Sequence, residues 1–181
     1  MVRSALVSTV IWLSAMLAGV LLPLSTGWAA PPRSEYEVKA VYLYNFTKFV
    51  NWPADQANSA LNICLIGRDP FEGRLDALNG KTVQGRQLKV LSFDVASPVL
   101  QCQMLFISQS ESRRFNSLLE RLQGMPVLTV SDIPGFLYEG GMIGLHSDGN
   151  LIRFSINLKR IRSEGLAVSS RLLELAVEVL Q

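Results

Sequence analysis

The stretch Gly140 to Asn157, GGMIGLHSDGNLIRFSIN, constrains the fold most because its strand register can be checked from the residues alone. Asp148-Gly149 is a two-residue hairpin signal. Folding about it opposes His146 with Leu151, Leu145 with Ile152, Gly144 with Arg153, Ile143 with Phe154 and Met142 with Ser155. Leu145, Ile152, Ile143 and Phe154 then share one face, and His146, Gly144, Arg153 and Ser155 share the other. A half-buried antiparallel pair requires this alternation, so the expectation is a hairpin with one core face and one free face.

The N-terminus reads as an export signal. Arg3 supplies a positive start, Ala5 to Leu22 an apolar run broken by Pro23, and Gly27-Trp28-Ala29 the small residues at the two positions a signal peptidase reads. Cleavage is expected after Ala29, with 1–29 as signal peptide and 30–181 as one domain; an uncleaved membrane anchor is the alternative. The expected mature chain keeps a net charge of only +1, because Arg3 is the one charge in the signal and the full chain carries +2. Such a balance excludes the basic footprint of a nucleic-acid binder. Cys64 and Cys102 are the only cysteines, and in an exported chain an even count normally forms a bridge. Closing a loop of about 38 residues would stabilise the fold by roughly 4 kcal/mol in the chain-entropy model. Two free buried thiols are the alternative; the pair has neither zinc-site spacing nor a C-x-x-C motif.

In order along the chain, Pro31-Pro32 is a stiff leader, and Ser34 with Glu37 forms a capping box. The helix behind it is expected to bury Val38, Val41, Tyr42, Asn45, Phe46 and Phe49, to keep Glu35, Lys39 and Lys48 wet, and to end near Trp52-Pro53. Its aromatic residues, Tyr36, Tyr42, Tyr44, Phe46, Phe49 and Trp52, read as core or, alternatively, as an exposed docking patch. Leu61 to Ile66 is a strand covered on both faces. Asp69 with Pro70 opens a helix to about Asn79-Gly80, and its acidic start, Asp69 and Glu72, argues against a phosphate cradle at Gly67. Lys81 to Gln87 is a polar loop, and Leu88 to Phe93 and Met104 to Ile107 are strands. Ser110 caps a helix burying Phe115, Leu118, Leu119 and Leu122 up to Gly124, and Val127 to Val130 is the next strand. Asp132-Ile133-Pro134 opens a helical turn through Phe136 and Tyr138. Leu158 to Ser163 is one or two helical turns, and Ser169 caps a last helix through Leu172, Leu173, Ala176, Val177 and Leu180. The alternation predicts an α/β three-layer sandwich: a mostly parallel sheet of about six strands, helices on both faces, and the hairpin as an antiparallel extension at one edge.

No chemistry-bearing constellation appears. His146 is the one histidine, and a His146-Ser147-Asp148 run cannot converge from separate elements as a triad does; an exposed turn explains it better. The acidic residues Glu35, Glu37, Asp69, Glu72, Asp76, Asp94, Asp132 and Glu139 show no paired spacing. No Gly-x-Ser-x-Gly elbow, P-loop or zinc signature is present. Hence no enzyme, no catalytic residue, no metal and no cofactor is expected.

Five blocks, EYEVKAVYLYNFTKFVNWP, ICLIGRDPF, CQMLFIS, PVLTVSD and GGMIGLHSDGNLIRFSIN, in this order and spacing over about residues 35 to 180, resemble the YfiR family of periplasmic proteins. The resemblance implies a periplasmic repressor that binds the sensor domain of an inner-membrane diguanylate cyclase and controls cyclic-di-GMP signalling. It also implies a second partner, an outer-membrane lipoprotein with a peptidoglycan-binding domain. The family's cysteines of the second and third blocks fall on Cys64 and Cys102, in line with the bridge. A second cysteine pair of some members falls on Leu137 and Gly144, which leaves the hairpin untethered here. The expected partner surface is Met142, Arg153, Ser155, Arg160 and Ile161, on an edge strand with free backbone; a covered edge with Ile161 in the core is the alternative. A different class of function stays open, a small-ligand sensor or carrier using the crevice near Gly67, Arg68 and Ser108. An exposed hairpin edge is also compatible with a homodimer.

Overall fold

The computed structural model describes residues 34–53, 60–93 and 101–181. The expected signal peptide and the Pro31-Pro32 leader lie outside the described residues. Helix α1 (Glu35–Phe49) opens as predicted, the Ser34 hydroxyl accepting from the Glu37 amide while the Glu37 carboxylate accepts from the Ser34 amide. Its buried stripe differs from the expected one. Lys39, Leu43, Phe46 and Thr47 are buried, and Val41 is 47% exposed. The aromatic residues pack as core: Phe46 is fully buried, and Tyr36, Tyr42, Tyr44, Phe49 and Trp52 lie against the same cluster.

The helix stops at Phe49, before Trp52, because β1 (Val50–Asn51) leaves in extended form to pair with Ala167 and Val168. The Gln84 side-chain amide donates to the carbonyls of Thr47, Lys48 and Val50 at 3.2, 3.3 and 3.0 Å, satisfying acceptors that a helix end leaves open.

Strand β2 (Leu61–Ile66) matches its predicted bounds. The helix expected after Asp69 is instead a 3-10 turn, Arg74–Leu78. Glu72 and Gly73 both take positive φ, and the Asp69 carboxylate accepts from the amides of Phe71 and Gly73, so the chain is turned before an α-helix can propagate. The predicted polar loop hides a hairpin, β3 (Thr82–Val83) and β4 (Arg86–Phe93), turned at Gln84-Gly85 with φ 51° and 76°. Strand β5 (Met104–Ile107) has its predicted bounds. Ser108, rather than Ser110, then caps a short 3-10 turn, and α2 (Phe115–Arg121) buries Phe115, Leu118, Leu119 and Leu122 as expected.

The remaining elements are β6 (Leu128–Ser131), β7 (Ile143–Asp148), β8 (Leu151–Asn157), α3 (Leu158–Ser163), β9 (Ala167–Val168), α4 (Ser170–Leu175) and β10 (Glu178–Leu180). The expected last helix thus ends at Leu175, and its final residues form a strand. Val179 finds Ile156 as a parallel partner, which a lone helix end would not supply.

Among the described residues the main sheet has eight strands in the order β10-β8-β7-β6-β5-β2-β4-β3, parallel except for the β7–β8 and β3–β4 hairpins. Strand β2 lies between β4 and β5, with neighbours on both sides. Alternate residues serve two cores. Leu61, Ile63 and Leu65 of β2 with Met104 and Phe106 of β5 join α1, whereas Cys64, Ile66, Leu105 and Ile107 join α2. Helices therefore cover both faces, as the α/β reading requires. The Cys64–Cys102 bridge forms in the second core, with Cα atoms 5.8 Å apart.

The hairpin forms in a register two residues away from the predicted one: Leu145 opposes Phe154, Ile143 opposes Ile156 and His146 opposes Arg153. The loop is Gly149-Asn150, with Gly149 at φ 59°, because glycine takes positive φ at the first turn position more cheaply than Asp148 would. A shift of two keeps every side chain on its predicted face, so Ile143, Leu145 and Phe154 are buried all the same.

Candidate functional site

Beyond its first rungs the hairpin stands apart from the sheet. β6 pairs only with Ile143 and Gly144, and β10 only with Ser155 to Asn157, so residues 145–153 have strand partners only in each other, while the Phe154 carbonyl accepts from the Val177 amide and the Ile152 carbonyl from the Tyr42 hydroxyl. Of the five residues expected on a partner surface, Arg153 is on this ribbon and exposed. Met142, Ser155 and Ile161 are 3%, 7% and 0% exposed, and Arg160 is half-buried, 3.1 Å from Glu164. β10 covers the edge of β8 that the sequence left open, and Ile161 sits in the core.

The crevice expected near Gly67 is filled. A Cβ at Gly67 would lie 2.5 Å from the Ser110 hydroxyl, which accepts from the Arg68 amide. The cavity at the carboxyl ends of the parallel strands opens farther along the sheet, between the hairpin and the turn 133–138, with a volume of about 520 Å³. Its floor follows from the register: Gly144, Ser155 and Glu178, which line it, are successive partners across β7, β8 and β10. Gly144 has no side chain and Ser155 a small one, which leaves room. The turn packs above, with the Leu137 Cβ 3.7 Å from where a Gly144 Cβ would be. Gly141 lets that turn close, since a Cβ there would come 2.2 Å from the Phe136 ring.

One end of the cavity is a buried charge network. The Lys39 ammonium lies 2.5 Å from Asp132 and 2.6 Å from Glu35, and the Tyr36 hydroxyl donates to Asp132 at 2.8 Å. The side chains of Lys39 and Asp132 are each only 2% exposed. Burial, and then the hydrogen bond to Asp132, pushes the Tyr36 phenol above its ordinary range. The bond from Lys39 holds the Glu35 carboxyl below its usual value, with Ser147 adding a smaller push in the same direction. At the other end the Tyr138 hydroxyl donates to both Glu178 oxygens, at 3.0 and 2.8 Å, which raises its pKa.

Position explains why the sequence left Lys39 wet. Its partner is 93 residues away, and no local spacing announces it. The expected second-pair positions do come together: the Leu137 to Gly144 approach matches the mean Cβ separation of a disulfide, about 3.8 Å.

The His146-Ser147-Asp148 run diverges as the strand alternation demands. Ser147 donates to Glu35, Asp148 is 3.8 Å from Arg153, and His146 is exposed. Among the described residues no three His, Cys, Asp or Glu side chains converge to hold a metal ion, and no helix is long and apolar enough to cross a membrane. Compared with known families, residues 36–177 match the model described as YfiR/HmsC-like.

Proposed function

Because the chain belongs to the YfiR/HmsC-like family, which at family level supports a periplasmic regulator of diguanylate cyclase signalling rather than an enzyme, we propose that this protein binds the periplasmic sensor domain of an inner-membrane diguanylate cyclase and holds it inactive. The family match over residues 36–177 carries the reading. An outer-membrane lipoprotein with a peptidoglycan-binding domain is the second partner in this scheme, drawing the repressor away from the cyclase.

The contact surface in this reading is the free ribbon, through Leu151 and Arg153. Leu151 is 54% exposed, and an apolar side chain beside an arginine suits an interface better than a solvated surface. The Arg153 pair with Asp148 is loose and exposed, so releasing it for a partner costs little. Met142, Ser155 and Ile161 would act only as support behind it.

Affinity capture of the protein from its own cell envelope tests the reading, together with cyclic-di-GMP measured in a deletion strain. A captured cyclase and a rise in the dinucleotide are expected; neither appearing overturns it. Leu151→Asp with Arg153→Glu should abolish capture while leaving the urea midpoint unchanged. Ile161→Asp is unsuitable for that purpose, because a charge at a fully buried position unfolds the protein.

A further inference from the structure

We propose that the outer face of α1 is a contact between two copies of this chain, which pack their α1 helices antiparallel about a two-fold axis. Lys39, Leu43, Phe46 and Thr47 turn one side of α1 into the core. The other side carries Glu37, Val41, Tyr44 and Lys48, spaced by four, three and four residues, so they stack in one row along the helix. Val41, in the middle of that row, is 47% exposed. Ala40, Ala77 and Leu78 extend the apolar surface into a groove of about 540 Å³ between α1 and the turn Arg74–Leu78.

The order of the row selects the occupant. A spacing of four, three and four reads the same in both directions, so an antiparallel copy presents a matching row. Rotation about a point midway between Val41 and Tyr44 sets each Val41 against the Tyr44 of the second copy and each Glu37 against its Lys48. Every contact then occurs twice, the isologous pattern of a two-fold dimer. A parallel copy would instead set carboxylate against carboxylate and ammonium against ammonium. The charges at the ends are open to such pairing. Lys48 and Lys81 lie 4.0 and 5.9 Å from the Tyr44 ring centroid, and neither ammonium is paired with a carboxylate among the described residues. Glu37 Oε1 has the exposed Arg74 guanidinium at 3.5 Å, a loose pair that yields at little cost. A helix of 15 residues is about 22 Å long, which gives a contact at the small end of specific interfaces and a Kd of about 10–100 μM. The ribbon at Leu151 and Arg153 does not line this groove, so the dimer stands apart from the cyclase reading.

Sedimentation velocity of the purified protein from about 1 μM to about 1 mM tests the contact, and the weight-average mass should rise from monomer toward dimer. Lys48→Glu sets two carboxylates together at both ends and should weaken association about tenfold; Glu37→Lys does the same with two ammoniums. An equimolar mixture of these two variants restores both opposite-charge pairs and should associate about as tightly as the wild-type chain. Val41→Asp puts a charge at the centre of the seam and should abolish association. Each variant is first shown to keep the wild-type circular dichroism spectrum. Val41 and Lys48 are exposed, so the test survives any loss of helix capping in Glu37→Lys. Leu151→Asp with Arg153→Glu should leave the dimer intact. A monomer throughout the range, which leaves the groove to a different partner, overturns the assignment. So does a dimer that Val41→Asp does not weaken, one that the ribbon variant dissolves, or a mixture no tighter than its components.

Discussion

Replacing Lys39 with methionine keeps the bulk of its stem and deletes its ammonium, which isolates a buried carboxylate. Asp132 would retain the Tyr36 hydroxyl on Oδ2, while Oδ1 already lacks a partner. Both side chains of the pair are 2% exposed, so solvent cannot make up the loss. Removing one member of such a pair costs about 3–5 kcal/mol. A domain of this kind holds about 5–15 kcal/mol in total, so a large share of its stability is at stake. With a urea m-value of about 2 kcal/mol/M the midpoint should fall by about 2 M. Glu35 adds little to that figure, because its side chain is 49% exposed and solvent screens it. Pairing Lys39→Met with Asp132→Asn removes both charges and should recover at least about 1 kcal/mol relative to the single variant. Urea unfolding followed by tryptophan fluorescence and circular dichroism measures both. A single-variant loss below about 1 kcal/mol, the size of an exposed pair, or a double variant no better than the single, would refute the reasoning.

Three further outcomes are expected. Replacing Cys64 and Cys102 with serine opens a bridge spanning 38 residues and should cost about 4 kcal/mol in equilibrium unfolding; a loss under about 1 kcal/mol would show that the bridge barely restrains the unfolded chain. Leu137→Cys with Gly144→Cys should form a second bridge in air, and the oxidised form should be about 2 kcal/mol more stable than the reduced form; two titratable thiols in the air-oxidised, unfolded protein would contradict the 3.7 Å approach. Lys39 lowers the Glu35 carboxyl, so that group contributes stability above its ordinary value of 4.5, and the contribution is lost as the pH falls through the lowered folded value. Glu35→Gln should therefore flatten the acid limb of stability against pH, and an unchanged slope below pH 4.5 would rule this contribution out.

Features governed by near neighbours are legible in the sequence. The Ser34–Glu37 box, the bounds of β2 and β5, the α2 stripe and the two faces of the hairpin all depend on residues a few positions apart or on the period of a strand. Even the wrong hairpin loop kept the right faces, because a two-residue shift preserves strand parity. Gln84 was not recognisable as a turn residue, since its left-handed backbone is tied to what its side chain does at the end of α1. The disulfide was legible from compartment and cysteine count, although its site in the α2-side core was not.

By itself, then, the sequence determined the layers and the alternation of the hairpin, because periodicity and capping act over one or two turns of chain. Only the tertiary structure decided that Lys39 is interior, that the last residues add a strand outside β8, and that Gly144 and Ser155 leave a cavity between two acidic ends. Each of those depends on a partner brought close by the fold, such as Asp132 for Lys39, and the cost of a buried charge or an unpaired edge is settled only by what lies across from it.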